Sequence, residues 1–168
     1  KGSQWIFSSL RHIVALSLIF AIGVDFSLVA QEATGFVQVG QDINGEAVGD
    51  ESGWSVAINS NGRRVAIGTP YNDGNGQDAG HVRVYEIQKG EWVQLGQDLD
   101  GESGGDRSGE AVSISADGNR VAVGAWFNNA RRGHVRVYEW RGGWVQMGQD
   151  IDGEWGGDDS GENISLSG

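Results

Sequence analysis

The chain contains no cysteine, which removes disulfides, thiolate metal sites and thiol nucleophiles together and leaves the redox compartment open. Pro70 is its single proline, set against 29 glycines, so tight turns have to be made by glycine and its short polar neighbours. Basic residues are scarce: 12 Lys and Arg face 23 Asp and Glu, for a net charge of −11. Binding a phosphate backbone depends on clustered Lys and Arg, so nucleic acid is not an expected partner, whereas divalent cations and basic surfaces remain open. A long hydrophobic run is also missing. The apolar stretch Ile13–Val24 spans twelve residues, well short of the roughly 20 that cross a bilayer as a helix. Seven tryptophans are present, and they argue against a disordered chain.

Lys1 and Arg11 precede that apolar stretch, and small residues follow it in SLVAQEA. A positive start, a short hydrophobic core and a cleavage point after Ala30 make the plan of a secretory signal. Residues 1–30 are therefore expected to direct export, to the medium or the cell surface. An uncleaved leader is the one route to a membrane expected here, and an ordinary buried helix is the third reading of the segment.

The remainder, residues 31–168, repeats. With Phe36, Trp92 and Trp144 in register, copies start near 36, 92 and 144, at periods of 56 and 52 residues. The differences in length fall in connections between periodic segments, where insertions are tolerated. Each period reads as four short strands. Val56 and Ile58 alternate with small residues, as do Val112 with Ile114 and Ile164 with Leu166. Asn61-Gly62 and Asp117-Gly118 follow, the strongest short hairpin signals because both residue types accept positive φ. RRVAIG and NRVAVG form the second strand, and GHVRVYE, identical at 80–86 and 133–139, forms the third. FVQVG, WVQLG and WVQMG are the three copies of the fourth. No segment after residue 30 has a helical period.

Four antiparallel strands per period of about 50 residues describe propeller blades that must stack on their neighbours to bury both faces. The fold expected is all-β: repeated four-stranded antiparallel blades forming a partial β-propeller of about two complete blades with flanking strands. A β-sandwich of two similar halves is the alternative. Further blades, or self-association, would be needed to cover the open faces.

SGWSVAINSNGRRVAIGTPYNDG (52–74) running on to GHVRVYE, together with SGEAVSISADGNRVAVGAW (108–126), resembles the FG-GAP repeat of integrin α-subunit N-terminal propellers and their microbial and algal relatives. Ser52-Gly53 and Ser108-Gly109 stand where the family opens its inner strand, and Gly68-Thr69-Pro70 where it closes the second. The resemblance implies a propeller that acts as a binding or adhesion scaffold. The family's calcium loop, between its first two strands, has no counterpart in the plain Asn-Gly and Asp-Gly turns of this chain.

The acidic charge gathers instead between the fourth strand of one copy and the first of the next. Asp42, Asn44, Glu46 and Asp50 correspond to Asp98, Asp100, Glu102 and Asp106, and to Asp150, Asp152, Glu154 and Asp158. Oxygen donors at alternate positions around a glycine suit calcium, which takes 6–8 hard oxygens, so these twelve residues form a candidate Ca²⁺ set. A solvated acidic turn that keeps the protein soluble and its sheet edges unpaired is the competing reading. Asp73, Asn75 and Asp78 form a smaller candidate in a connection whose counterpart, FNNARR, has lost its acids.

Catalysis finds little support. His81 and His134 occupy the same place in successive copies, which suits a recurring role on the strand surface better than a catalytic pair, and the carboxylates recur in every copy. Trp92 and Trp144 are expected in the core. Trp126 and Trp155 differ between copies and are candidates for a surface that meets a protein or carbohydrate ligand. A propeller enzyme acting on extracellular polysaccharide and a purely structural array are the other two readings.

Overall fold

Alternating apolar residues on both sides of an Asn-Gly or Asp-Gly pair leave the backbone one economical course, an antiparallel hairpin, and the chain follows it in both copies. A computed structural model describes residues 35–167; the leader expected at 1–30 lies outside them. The first sheet holds β1 (Ser55–Ile58), β2 (Arg64–Thr69), β3 (His81–Gln88) and β4 (Glu91–Gln94) in that order, with Val56 opposite Ile67 and Tyr85 opposite Gln94. A fifth strand, β5 (Leu99–Asp100), pairs with the start of β3. The second sheet repeats the plan with β6 (Ala111–Ile114), β7 (Arg120–Ala125), β8 (His134–Trp140), β9 (Trp144–Gln146) and β10 (Ile151–Asp152). Both sheets are antiparallel throughout, and they are open rather than closed into a ring.

The hairpin turns are held by their own side chains. Asn59 Oδ1 accepts the N–H groups of Arg63 and Arg64 at 3.0 and 2.9 Å, and Ser115 Oγ accepts that of Arg120 at 2.9 Å. The connection from β7 to β8 contains a single turn, α1 (Asn128–Arg131), in which Asn129, Ala130 and Arg131 have φ of 49°, 60° and 64°.

Two expected strands are not formed. Residues 36–40 and 164–167 carry no ladder pairing. The fourth strand pairs with the third of its own copy and the first with the second, and neither segment has that partner among the described residues.

The two sheets stack face to face. Ala66, Val82, Val84, Leu95 and Leu99 of the first meet Ile114, Val121, Val123, Tyr138 and Trp144 of the second in one buried cluster. Each fully buried side chain of this size contributes about 1.5–3 kcal/mol, so the contact between copies is the main core. On the other face of the first sheet Val65, Ile67 and Tyr85 pack with Ile43 and Trp92.

Backbone meets backbone where the sheets join. A Cβ on Gly68 would lie 1.9 Å from the carbonyl oxygen of Gly109, and one on Gly124 would lie 2.1 Å from that of Gly161. Gly109 and Gly161 themselves have φ of 89° and 92°, a conformation that favours glycine. The recurring Ser-Gly pair is thus the point at which each new copy docks on the second strand.

A second joint is made by the fourth strand. Trp92 Nε1 donates to Val39 O at 2.8 Å, and Trp144 Nε1 donates to Leu95 O at 2.7 Å. Gln41 clasps the backbone of Trp92 through both ends of its amide, at 2.8 and 3.0 Å, and Gln97 does the same to Trp144 at 2.7 and 3.3 Å. The repeated Gly-Gln-Asp therefore receives the tryptophan of the following copy.

Candidate functional site

The acids of each connection take up different tasks. The first, Asp98 and Asp150, accept from Gln94 and Gln146 at 2.5 and 2.6 Å, and Asp42 accepts from Gln38 at 2.9 Å. At the second position the backbone matters: Arg83 Nη2 donates to Asn44 O at 3.0 Å and Arg136 Nη2 to Asp100 O at 2.9 Å. The last acid caps its own loop. Asp106 Oδ2 accepts the N–H of Ser103 at 2.9 Å, and Asp158 Oδ2 accepts those of Glu154 and Trp155 at 2.8 and 2.7 Å. Asp50 is held by Asn72 Nδ2 at 2.9 Å. Asp152 and Glu154 are exposed. In the smaller candidate, Asp73 accepts the N–H of Asp78 at 2.9 Å, while Asn75 donates to Gly101 O at 2.7 Å.

What converges is drawn from two successive connections and a histidine between them. Ligand atoms of Glu46, His81 and Asp98 all lie within 4.8 Å of one another, and so do those of Glu102, His134 and Asp150. The histidine opens the third strand, the aspartate begins the connection after it, and the glutamate belongs to the connection before it. His81 Nδ1 is 3.8 Å from Asp98 Oδ2 and His134 Nδ1 is 3.7 Å from Asp150 Oδ2. A set containing an imidazole is poorly matched to calcium, a hard ion served by oxygen.

These histidines were expected on the strand surface, and they are buried, each 1 % exposed. β5 and β10 add an unexpected strand beside each histidine: Asp100 is the ladder partner of His81 and Asp152 that of His134. Burial holds both imidazoles below their ordinary pKa. For His81 it outweighs the raising field of Asp98, and for His134 it is reinforced by Arg136 and opposed by Asp150. A neutral imidazole keeps a lone pair free at pH 7. Burial likewise raises the carboxyl of Asp100, with Asp98 adding to the effect.

Arginine flanks each cluster. Arg83 Nη1 is 3.3 Å from Glu46 Oε1, and Asn72 Nδ2 reaches Glu46 Oε2 at 3.3 Å. Arg136 Nη1 is farther from Glu102 Oε1, at 3.8 Å.

A second concentration of chemistry lies where β2 and β7 leave their sheets. Trp54 meets Tyr71 edge to face at 6.1 Å, Arg107 lies 5.0 Å from the Tyr71 ring and 4.1 Å from that of Phe127, and Phe127 meets Trp126 at 4.4 Å. Arg131 lies 5.0 Å from Trp126 and forms a two-point pair with Asp159 at 2.9 and 2.7 Å. The loop carrying Trp155 is tied to the same turn, since Gly157 donates to Arg131 O at 2.9 Å. The two tryptophans singled out in the sequence thus share one end of the molecule. Trp155 is 73 % exposed, and Trp126 is half-buried. Tyr71, Arg107, Phe127 and Arg131 were not singled out. Their one signal is position, Tyr71 and Phe127 lying just beyond a second strand, Arg107 just before a first and Arg131 just before a third.

The family model described as FG-GAP repeat matches residues 44–85. No curated protein matches the chain. The matched segment runs from the acidic connection through β1 and β2 into β3, and the second sheet repeats the same elements.

Proposed function

From a chain that carries an FG-GAP repeat at residues 44–85 in an all-β, propeller-like arrangement of sheets, we propose an exported binding scaffold. It meets a protein or carbohydrate ligand through the loops at one end of its blades and does no chemistry on it. One observation carries the reading: the row Trp54, Tyr71, Arg107, Phe127, Trp126 and Arg131 crosses from one copy to the next. Aromatic and arginine side chains dominate the energetics of recognition surfaces. Their flat faces also suit the stacking of sugar rings, and arginine adds a partner for acidic groups. Extended by Trp155, the row offers a ligand several rings on loops that the sheets hold at one end.

The test uses the full chain and defined probes: a neutral glucan, an acidic polysaccharide and an acidic peptide, titrated while tryptophan fluorescence is followed. Saturable binding to one probe that falls at least tenfold in Trp126→Ala and Trp155→Ala, with the melting temperature preserved, supports the scaffold. Equal binding by wild type and both variants removes the row from the reading.

A further inference from the structure

The two buried histidines answer a question the ligand surface does not. A polar side chain taken out of water is ordinarily hydrogen-bonded. Among the described residues neither ring nitrogen of His81 or His134 has a hydrogen-bond partner, and Nε2 of each is fully enclosed. The same arrangement occurs in both copies, although Glu46 precedes His81 by 35 residues and Glu102 precedes His134 by 32. Each Nδ1 instead faces an aspartate oxygen across 3.8 or 3.7 Å, too far for a hydrogen bond. A glutamate oxygen lies within 4.8 Å of both.

Those separations have a chemical meaning. Donor atoms bound about 2.0–2.2 Å from a tetrahedral zinc ion sit about 3.3–3.6 Å from one another, by the geometry of the tetrahedron. The histidine–aspartate separations are a few tenths of an ångström wider than that, and the glutamate oxygen lies within 4.8 Å of both, so an ion would draw the three donors inward. One imidazole and two carboxylates form a nitrogen–oxygen set that suits first-row transition ions, and three protein donors leave a coordination position for water.

We propose that Glu46, His81 and Asp98, and likewise Glu102, His134 and Asp150, each bind one divalent transition-metal ion of the zinc class at the junction between successive connections. The ion joins a glutamate before the blade to an aspartate after it, through the third strand of that blade. It takes the place of the calcium suggested by the acids alone. The other aspect of the clusters is arginine. Arg83 and Asn72 both compete for the Glu46 carboxylate, whereas the Glu102 carboxylate accepts no hydrogen bond among the described residues and its arginine stands at 3.8 Å. The second cluster is therefore the tighter site. The proposal is independent of the ligand row and fails or stands without it.

Zinc is titrated into the metal-free full chain by calorimetry, with calcium in a parallel titration and cobalt(II) absorption as a direct report of coordination. Wild type takes up two zinc ions, the melting temperature rises, and cobalt gives the visible bands of a low-coordinate nitrogen–oxygen site. His81→Gln and His134→Gln each bind one ion, with the tighter event lost in His134→Gln; this halving cannot come from unfolding, which would remove both. Glu154→Gln, an exposed acid outside both clusters, binds two. Uptake that is unchanged in both histidine variants, a titration with no zinc uptake, or stabilisation by calcium with none by zinc would each overturn the proposal.

Discussion

The α-carbon of Gly68 lies so close to the carbonyl oxygen of Gly109 that a methyl group there would sit 1.9 Å from it. Gly124 repeats the relationship with Gly161 at 2.1 Å. A backbone carbonyl cannot swing aside as a side chain can. Gly68→Ala is expected to cost about 3 kcal/mol or more, at the upper end of overpacking effects, and to broaden the melting transition. Gly143→Ala is the comparison, because its nearest neighbour is a Gln97 oxygen 3.6 Å away; its melting temperature should stay within a degree or two of wild type. Thermal denaturation of the two variants side by side decides the matter.

Trp144 unites two contributions that substitution can separate. Its ring is 4 % exposed in the core between the sheets, and its Nε1 donates to Leu95 O. Trp144→Phe keeps most of the burial and leaves that carbonyl without its donor, at about 1–3 kcal/mol. Trp144→Ala loses the ring as well and is expected to cost about 3–5 kcal/mol. Urea denaturation followed by circular dichroism measures both, and equal effects would mean that the hydrogen bond contributes nothing.

The Asp117 carboxyl titrates at about 2, first because Ser115 Oγ–H donates to it and next because the backbone and side chain of Asn119 do so. The folded value is depressed from 3.8, so the turn's contribution is fully present above about pH 4 and is lost as pH falls through about 2. Ser115→Ala should move the carboxyl back toward 3.8. Carboxyl-resolved NMR titration reads this directly, and an unmoved pKa in the variant would assign the shift elsewhere.

Asp106 is 4 % exposed and accepts the Ser103 N–H within its own loop. Asp106→Asn keeps an acceptor and is expected to cost less than about 1 kcal/mol, whereas Asp106→Ala leaves a loop donor unmet at about 1–2 kcal/mol. If both variants melt alike, the charge of Asp106 rather than its hydrogen bond holds the loop.

Most strands were legible because Val56, Ile58, Val112 and Ile114 alternate with small residues and glycine turns set their limits. β5 and β10 were not, since a pair such as Leu99-Asp100 has no period of its own and sits among carboxylates that read as loop. That omission left His81 and His134 without the strand that pairs beside each of them. The repeat revealed which positions correspond but not which copies meet: Glu46 reaches His81 and Asp98 across most of a period, and Gln97 reaches Trp144 across 47 residues. Register along a single chain carries no signal for a contact that depends on how sheets stack. Trp126 and Trp155 stood out by their irregularity, while Arg107 and Arg131 are ordinary surface residues until the aromatic rings are placed beside them.

The glutamine clasp gives the molecule a direction. Gln41 holds Trp92 and Gln97 holds Trp144, always one copy gripping the next and never itself. Stability in such an array is a property of joints more than of units, as in a one-dimensional chain of coupled spins. Lengthening the array by one period adds a whole joint, so the melting temperature should climb with copy number while the intrinsic stability of each sheet stays the same. Unfolding would then begin at a terminal copy, which has a neighbour on one side, and run inward like a zip.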